Sequence, residues 1–464
     1  MTKVAIIGGG PGGLIAAYLL EQKTPEPLEI HLFEASDRLG GKIISKRFNH
    51  VPLLYEAGMA ELYSYDHLKQ DPLRQLVERL GLSTIELSGE IIIFRDKLLR
   101  TCWELEDYFG SEAGESLEEF DEKAIGLMSP EDYSQSINPE RSDNPLLTCS
   151  FQSILEEISN PIARQFVKIM SHSDLATEPH LSNGLYGIEN WLVDDRQYMR
   201  LYAIAGGNER LPQALKNAIA AKIHLNSPVV RVAGTPEGNY QIDVQHQGDI
   251  ETHTFDAVIV ALPVYWLPMI QWEEQNLAQA IQTHYAHYDK PAHYLRITLL
   301  FQTAFWREKL PDSYFTLDAF GGCCVYDETS RYDAGGYGIL SWLLSGNDAL
   351  VMNNFEDSIL VEKALESLPS WLQPLRSPCL EGRVDRWIGT VNAQPGGFPV
   401  QPTLKRHQPA PETHPNLLMV GDYLYDSTLN GVMNSANFAS DLLLKQLNFT
   451  PRPCDLNPVD DDDL

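Results

Sequence analysis

The stretch "KVAIIGGGPGGLIAAYLLEQK" (3–23) restricts the fold more than any other part of the chain. A short apolar strand runs into glycines at 8, 10 and 13, and an apolar pattern with helical spacing begins at once. Gly8 permits the tight turn, Gly10 lets backbone approach a pyrophosphate, and Gly13 lets helix and strand pack closely. The helix opening at Pro11 and Gly12 turns its N–H groups toward an anion. After a "TPEPLE" break, the strand "IHLFEA" ends in Glu34 and Ala35, with Glu34 placed 21 residues beyond Gly13. An acid at that distance accepts the hydroxyls of a ribose. Together these features predict a β-α-β unit that binds a dinucleotide. The competing reading is a glycine turn with no ligand, which leaves the acid without a purpose.

A chain of 464 residues is long for one hydrophobic core, so two domains are expected. From about 66 to 200 the pattern is mainly helical, with apolar stripes in "DPLRQLVERLGL" and "SFQSILEEISNPIARQFVKIM" and a polar surface loop at 129–145 between them. Strand and helix alternate again over 201–262, mix over 270–380, and end in a buried strand, a turn and a final helix. No internal repeat interrupts this order. The fold class expected is α/β, with a Rossmann-like dinucleotide-binding domain in three separated segments (1–65, 201–270 and 385–450). A mixed α+β substrate domain is inserted between them (66–200 and 271–384), and 451–464 form an acidic tail ending "PVDDDDL".

The balance of 35 basic against 64 acidic residues gives a net charge of −29, which repels nucleic acid and anionic membrane surfaces and attracts cationic small molecules. No apolar run approaches the ~18 residues needed to span a bilayer, and the N-terminus lacks a secretory pattern, so a cytoplasmic location is expected. The six cysteines include no CxxC, and the adjacent Cys323 and Cys324 read as buried thiols.

The continuation "EASDRLGGK" (34–42), with Arg38, Gly40, Gly41 and Lys42, resembles the flavin amine oxidase superfamily of monoamine, polyamine and L-amino-acid oxidase types. In that family a basic, double-glycine turn wraps the pyrophosphate of FAD. Lys42 stands where an arginine is usual, keeping the charge and losing the bidentate fork. "YEAGMAEL" (55–62) is similar to the family's next segment, which passes the flavin with Gly58, Met59 and Ala60. "GGNERLPQAL" (206–215) resembles its glycine turn before a helix, and "SPVVRV" (227–232) the strand that meets the adenine through Val230. "LLMVGDYLYDSTLNGVMNSANFASDLL" (417–443) resembles the closing signature. There the resemblance implies that Gly421 and Asp422 hold the ribityl chain, unless Asp422 is an ordinary helix cap. The helix opening at Gly431, Val432 and Met433 would face the flavin C2 carbonyl. The cofactor implied is FAD.

Chemistry is expected around two residues. In "YLRITLLFQTAFW" (294–306), Leu295, Ile297, Leu299 and Phe301 alternate with Tyr294, Arg296 and Thr298, leaving a guanidinium on an apolar strand. Arg296 is either a solvated edge residue or, ten residues before Trp306, the counterpart of the family's flavin-side lysine, able to bind a substrate carboxylate. Trp387 is either a core tryptophan or one wall of a substrate cage whose other wall, in the closing signature, is Val432. The stretch 171–195 offers Asp174, Glu178 and Asn190 to a cationic group, while His172 and His180 lack a third ligand for a metal. No second GxGxxG marks an NAD(P)H domain. The function expected is FAD-dependent removal of a hydride from a carbon bearing an amine, in an amino acid or polyamine-like substrate. Carbon–carbon desaturation of a carotenoid-type lipid and a non-catalytic flavin scaffold are the alternatives. The partners expected are a small-molecule substrate and dioxygen or another electron acceptor, with a homodimer left open.

Overall fold

A computed structural model describes residues 1–67, 70–134, 144–246, 248–398, 400–454 and 456. The tail "PVDDDDL" and most of the 129–145 loop lie outside them; Pro130–Ser134, at its start, form a short helix. The fold is mixed α/β with several sheets.

The strand Lys3–Ile7 sits in the middle of a five-stranded parallel sheet, in the order Lys222–His224, Glu29–Phe33, Lys3–Ile7, Ala257–Val260, Leu417–Met419. Its alternate residues serve two cores. Val4 and Ile6 pack under the helices Pro11–Lys23 and Leu429–Gln446, and Ala5 and Ile7 pack against the strands Val229–Gly234 and Tyr240–His246. A strand covered on both faces must be apolar throughout, which is why "VAII" shows no polar alternation. Lys23 is wholly buried at the end of the first helix, where its ammonium reaches Asn437 Oδ1 at 2.7 Å and Asp441 at 2.8 Å and ties it to the closing helix.

The second large sheet has seven strands, in the order Cys379–Asn392, Pro291–Phe301, Gly338–Ser345, Cys323–Asp327, Tyr314–Leu317, Ile92–Phe94, Lys97–Leu99. Leu295, Ile297, Leu299 and Phe301 share one face and enter a core with Trp306, Trp342 and Leu360, as their alternation requires. The strand carrying Arg296 is paired on both sides, so the solvated-edge reading of that residue fails. Cys323 and Cys324 are buried free thiols, as expected.

Among the described residues the 66–200 region is mainly helical, as expected, but it also carries short strands. Thr84–Leu87 pairs with Arg200–Ile204, and Ile92–Phe94 and Lys97–Leu99 extend the seven-stranded sheet. Strands of three or four residues are too short to display a period, so the sequence pattern passes over them. The 151–170 stripe is two helices, Phe151–Leu155 and Pro161–Leu175, because Asn160 and Pro161 start a new one, with Asn160 Oδ1 accepting from the N–H of Ile162 at 2.9 Å.

Candidate active site

Three cavities share walls in sequence. The first, about 460 Å³, is lined by Gly8, Gly10, Pro11, Gly12, Glu34, Ala35, Gly41, Lys42, Val230, Trp387, Gly421, Asp422 and Val432 among others. Pro11, Lys42, Trp387, Asp422 and Val432 also border the second, about 180 Å³, whose far wall is the strip Gly58–Met59–Ala60–Glu61. Tyr63, Asp174, Tyr294 and Thr428 then border both the second cavity and a third, a recess of about 80 Å³.

The glycines divide by purpose. A Cβ on Gly13 would stand 2.0 Å from the carbonyl oxygen of Gly8, and one on Gly8 (φ +112°) 2.4 Å from that of Ala261, so both are demanded by packing. A Cβ on Gly10 would meet nothing nearer than the Cα of Gly41 at 3.9 Å. Its lack of a side chain leaves room in the cleft. Gly40 and Gly41 turn with φ +106° and +53°, and Arg38 holds that turn by donating to Gly41 O at 2.6 Å and Leu39 O at 3.2 Å. Arg38, Gly40 and Gly13 thus shape the cleft from behind its lining.

Glu34 accepts from the N–H of Gly9 at 2.7 Å through Oε2 and from Ser36 N and Oγ at 2.9 and 2.7 Å through Oε1, which fixes the carboxylate and leaves lone pairs for hydroxyl donors. Val230 lies at a bulge: Val229 pairs with Val244 and Arg231 with Asp243, so the residue between them has no partner on the neighbouring strand. Val230 itself borders the first cavity. At the junction, Lys42 forms an ion pair with Asp422 and donates to Thr390 O at 3.1 Å. Asp422 does not cap the closing helix. Thr428 does, its Oγ1 accepting from Gly431 N at 3.0 Å, and Asp422 instead starts a short 3-10 turn. Of the three residues expected at the helix opening, Val432 lines the cavities, Gly431 has its N–H occupied by Thr428, and Met433 is buried in the core. Leu429 and Asn430 line the second cavity in their place.

The strip behind that cavity is gripped carbonyl by carbonyl. Trp387 Nε1 donates to Ala57 O at 2.7 Å, Arg296 Nη1 to Gly58 O at 3.1 Å, Asn208 Nδ2 to Met59 O at 3.1 Å, and Arg331 Nη1 to Ala60 O at 2.8 Å. Trp387 is therefore both a cavity wall and a clamp. Arg296 stands behind the wall and not in it. It is 0% exposed, it pairs with Glu328 (1% exposed) at 2.5 Å, and its Nε donates to Ser341 Oγ at 2.7 Å. Its guanidinium also lies 5.1 Å from the centre of the Tyr326 ring. The segment holding Glu328 follows another strand, so no sequence spacing announces this pair.

Glu56 belongs to the same buried cluster, accepting from Asn208 N at 2.9 Å and Ser45 Oγ at 2.8 Å. Burial pushes its carboxyl from 4.5 up to about 7, with Glu328 adding to the rise and Arg331 opposing it. An acid with a raised folded pKa favours folding fully at low pH and loses that contribution as pH climbs through the folded value. Glu56→Gln keeps the shape without the charge. Its stability should match the wild type below about pH 4.5 and exceed it by up to about 3 kcal/mol above about pH 8. Urea midpoints of the two proteins across that range measure the difference, and a flat difference would remove the titration from this site.

Around the recess stand Tyr63, Tyr65, Tyr133, Tyr186 and Tyr294 with Asp174, Glu189, Asn190 and Asp426. Asp174 and Asn190 are among its walls. Glu178 is not, since it pairs with His172 Nε2 at 3.1 Å and accepts from Asn347 N at 3.1 Å, an arrangement that lowers its carboxyl to about 2. Among the described residues no group of three or more metal-ligating side chains is assembled.

Residues 11–444 match the family described as flavin containing amine oxidoreductase. The chain belongs to that family. An L-amino-acid oxidase of Mus musculus is 25% identical over 439 residues, covering 87% of this chain, and the chain spans 63% of that protein's length. Wild-type putrescine oxidase bound to putrescine superposes with a TM-score of 0.69 at 20% identity, and cyclohexylamine oxidase from Brevibacterium oxydans with 0.71 at 17%. Each covers 96% of this chain and 99% of its own. These two share the fold. The family's cofactor is a flavin, FAD in these oxidases, and the residues present fit it: an open Gly10, an anchored carboxylate at Glu34 and Val230 in the wall of the same cavity. The first cavity leads directly to the smaller second one through their shared walls. Among the described residues no helix is long and apolar enough to cross a membrane.

Proposed function

We propose that the chain oxidises amines, removing a hydride from the carbon that bears the nitrogen and giving an imine that hydrolyses. The observation that carries this reading is the shared wall of the cavities, through which a dinucleotide cleft opens past Trp387 and Val432 into a chamber and then an acidic, tyrosine-lined recess. In the same reading, the parallel sheet with strands from 1–65, 201–270 and 385–450 is an FAD-binding domain in three segments, and the seven-stranded sheet with its helices forms the inserted substrate domain.

FAD, when bound, accepts a hydride at N5 of its ring. Gly8, Gly10 and Gly12 would receive its pyrophosphate, Glu34 the ribose and Val230 the adenine; Asp422, paired with Lys42, would meet the ribityl chain. The clamped Gly58–Ala60 strip would back the ring, and Trp387 and Val432 would face a substrate across it. The recess excludes bulk water and orients the amine. Nothing in this layout requires a dedicated general base if the amine arrives neutral. Dioxygen or another acceptor completes the turnover. A carotenoid-type substrate fits poorly, because Asp174, Glu189, Asn190 and Asp426 make the recess polar.

Anaerobic addition of alkylamines, diamines and amino acids to the FAD-loaded protein should bleach the flavin absorbance with at least one amine. Turnover of a polyene with no bleaching by any amine would sink the reading.

A further inference from the structure

Trp266 and Met269 are large apolar side chains left in solvent, 49% and 69% exposed, and both line the first cavity. They belong to the 3-10 turn Val264–Met269, which runs along that cavity. Just before the turn, Ala261 O lies against the glycine loop, 2.4 Å from where a Cβ on Gly8 would stand. Just after it, the strand Gln271–Glu273 pairs in parallel with Val229–Gly234, Arg231 opposite Gln271, so Ile270 comes up beside Val230. The turn is fixed from beneath. Val264 and Leu267 are buried in the core, Trp272 Nε1 donates to Leu267 O at 2.8 Å, and Trp266 N donates to Pro263 O at 3.0 Å. Packing therefore sets what the turn presents to the cavity: Tyr265, Trp266 and Met269, with the Tyr265 and Trp266 ring centroids 5.6 Å apart.

Single exposed apolar residues are ordinary on a protein surface. Two on one fixed turn, in the wall of a cavity that also holds Val230, Ile270 and Phe33, mark a place where something apolar is covered. The anchored acid shares this end: Glu34 O accepts from Ser227 N at 2.9 Å, three residues before Val230. The cavity's other charged residues, Lys42 and Asp422, stand where it meets the second cavity. An end with apolar walls, an open indole, a thioether and one acid suits a flat heteroaromatic ring carried on a sugar. Among the pieces of FAD that is the adenosine. An indole stacks on such a ring, and a methionine sulfur packs against its edge.

We infer that Trp266 and Met269 clasp the adenine of FAD against the wall formed by Val230 and Ile270, so that this half of the cofactor is recognised on its own and ADP alone binds the flavin-free protein. This rests on the cofactor placement in the reading above and on none of its amine chemistry. Neither residue belongs to the glycine loop, the ribose acid or the closing signature.

Calorimetric titration of the flavin-free, full-length protein with FAD, ADP and FMN tests the clasp. FAD and ADP should both bind the wild type. Trp266→Ala should weaken FAD and ADP alike by at least about ten-fold, within the range that one ring–base stack is worth, and leave FMN, which lacks the adenosine, unchanged. Trp266→Phe should recover most of the loss, and Met269→Ala should act in the same direction by less. A second readout follows the indole itself. The acrylamide-quenchable fluorescence present in the wild type and missing from Trp266→Phe belongs to Trp266, and saturating ADP should shield it. Wild-type affinity for FAD and ADP in Trp266→Ala, FMN weakened as much as FAD, no binding of ADP by the wild type, or an indole still open to acrylamide with ADP bound would each overturn the clasp while leaving amine oxidation standing. A clasp upheld in a protein that oxidises no amine removes the oxidase reading alone.

Discussion

Arg296→Ala should cost about 3 kcal/mol of stability, because it takes from the buried Glu328 its closer cation and leaves it only Arg331, at 3.6 Å. The pair is completely enclosed, with both side chains at 1% exposure or less, so water cannot solvate the carboxylate left behind. The same change frees the carbonyl of Gly58 and the hydroxyl of Ser341, and the Gly58–Ala60 strip loses one of its clamps. Flavin affinity should therefore fall along with the urea midpoint. The double variant Arg296→Met with Glu328→Gln separates the two effects. Removing both charges should recover part of the stability, since a buried pair is worth little against neutral replacements, while Arg331 loses its ion pair with Glu328. Flavin retention should stay low, because the donor to Gly58 is still missing. A single variant within about 1 kcal/mol of the wild type would show that Arg331 alone compensates Glu328.

Gly10→Val should leave the fold intact and reduce FAD affinity by at least about a hundred-fold, or roughly 2.7 kcal/mol. The backbone at Gly10 has φ −72° and ψ −179°, which valine adopts without strain, and no protein atom lies within 3.9 Å of the added Cβ. Nothing in the protein itself asks for glycine there, so the demand comes from the ligand. Gly13→Ala gives the contrast, with its Cβ driven to 2.0 Å from the Gly8 carbonyl oxygen; that protein should be unstable with or without flavin. Circular dichroism of the flavin-free proteins, followed by titration with FAD, distinguishes the cases. A Gly10→Val protein that retains FAD through purification would exclude the pyrophosphate from this turn.

The first cavity's glycine turn and acid were legible because their signals are local. Gly8, Gly10, Gly13 and Glu34 lie on one β-α-β unit, and their spacing follows from its geometry. The bulge at Val230 and the Thr428 cap were not, since a bulge is a relation between two strands and any of several polar residues near 422–428 satisfies a capping rule. Arg296 shows the limit most clearly. Its alternation put it on a buried strand, but what a buried arginine does depends on its partner, and Glu328 arrives from a turn beyond a later strand. The recess was hidden for the same reason: its five tyrosines come from separate stretches, at 63–65, 133, 186 and 294, with no common motif.

The clamped strip has a consequence for how the protein is made. Its four donors are separated from the carbonyls they hold by 330, 238, 149 and 271 residues. Contacts that distant form late, after long loops have closed. The wall of the second cavity cannot be complete until Trp387 has been synthesised and docked, although the glycine turn at 8–13 is among the first residues made. A nascent chain thus has its phosphate loop long before it has a chamber for the ring. Flavin loading becomes a test of the whole fold, and a chain truncated before Trp387 should emerge without its colour.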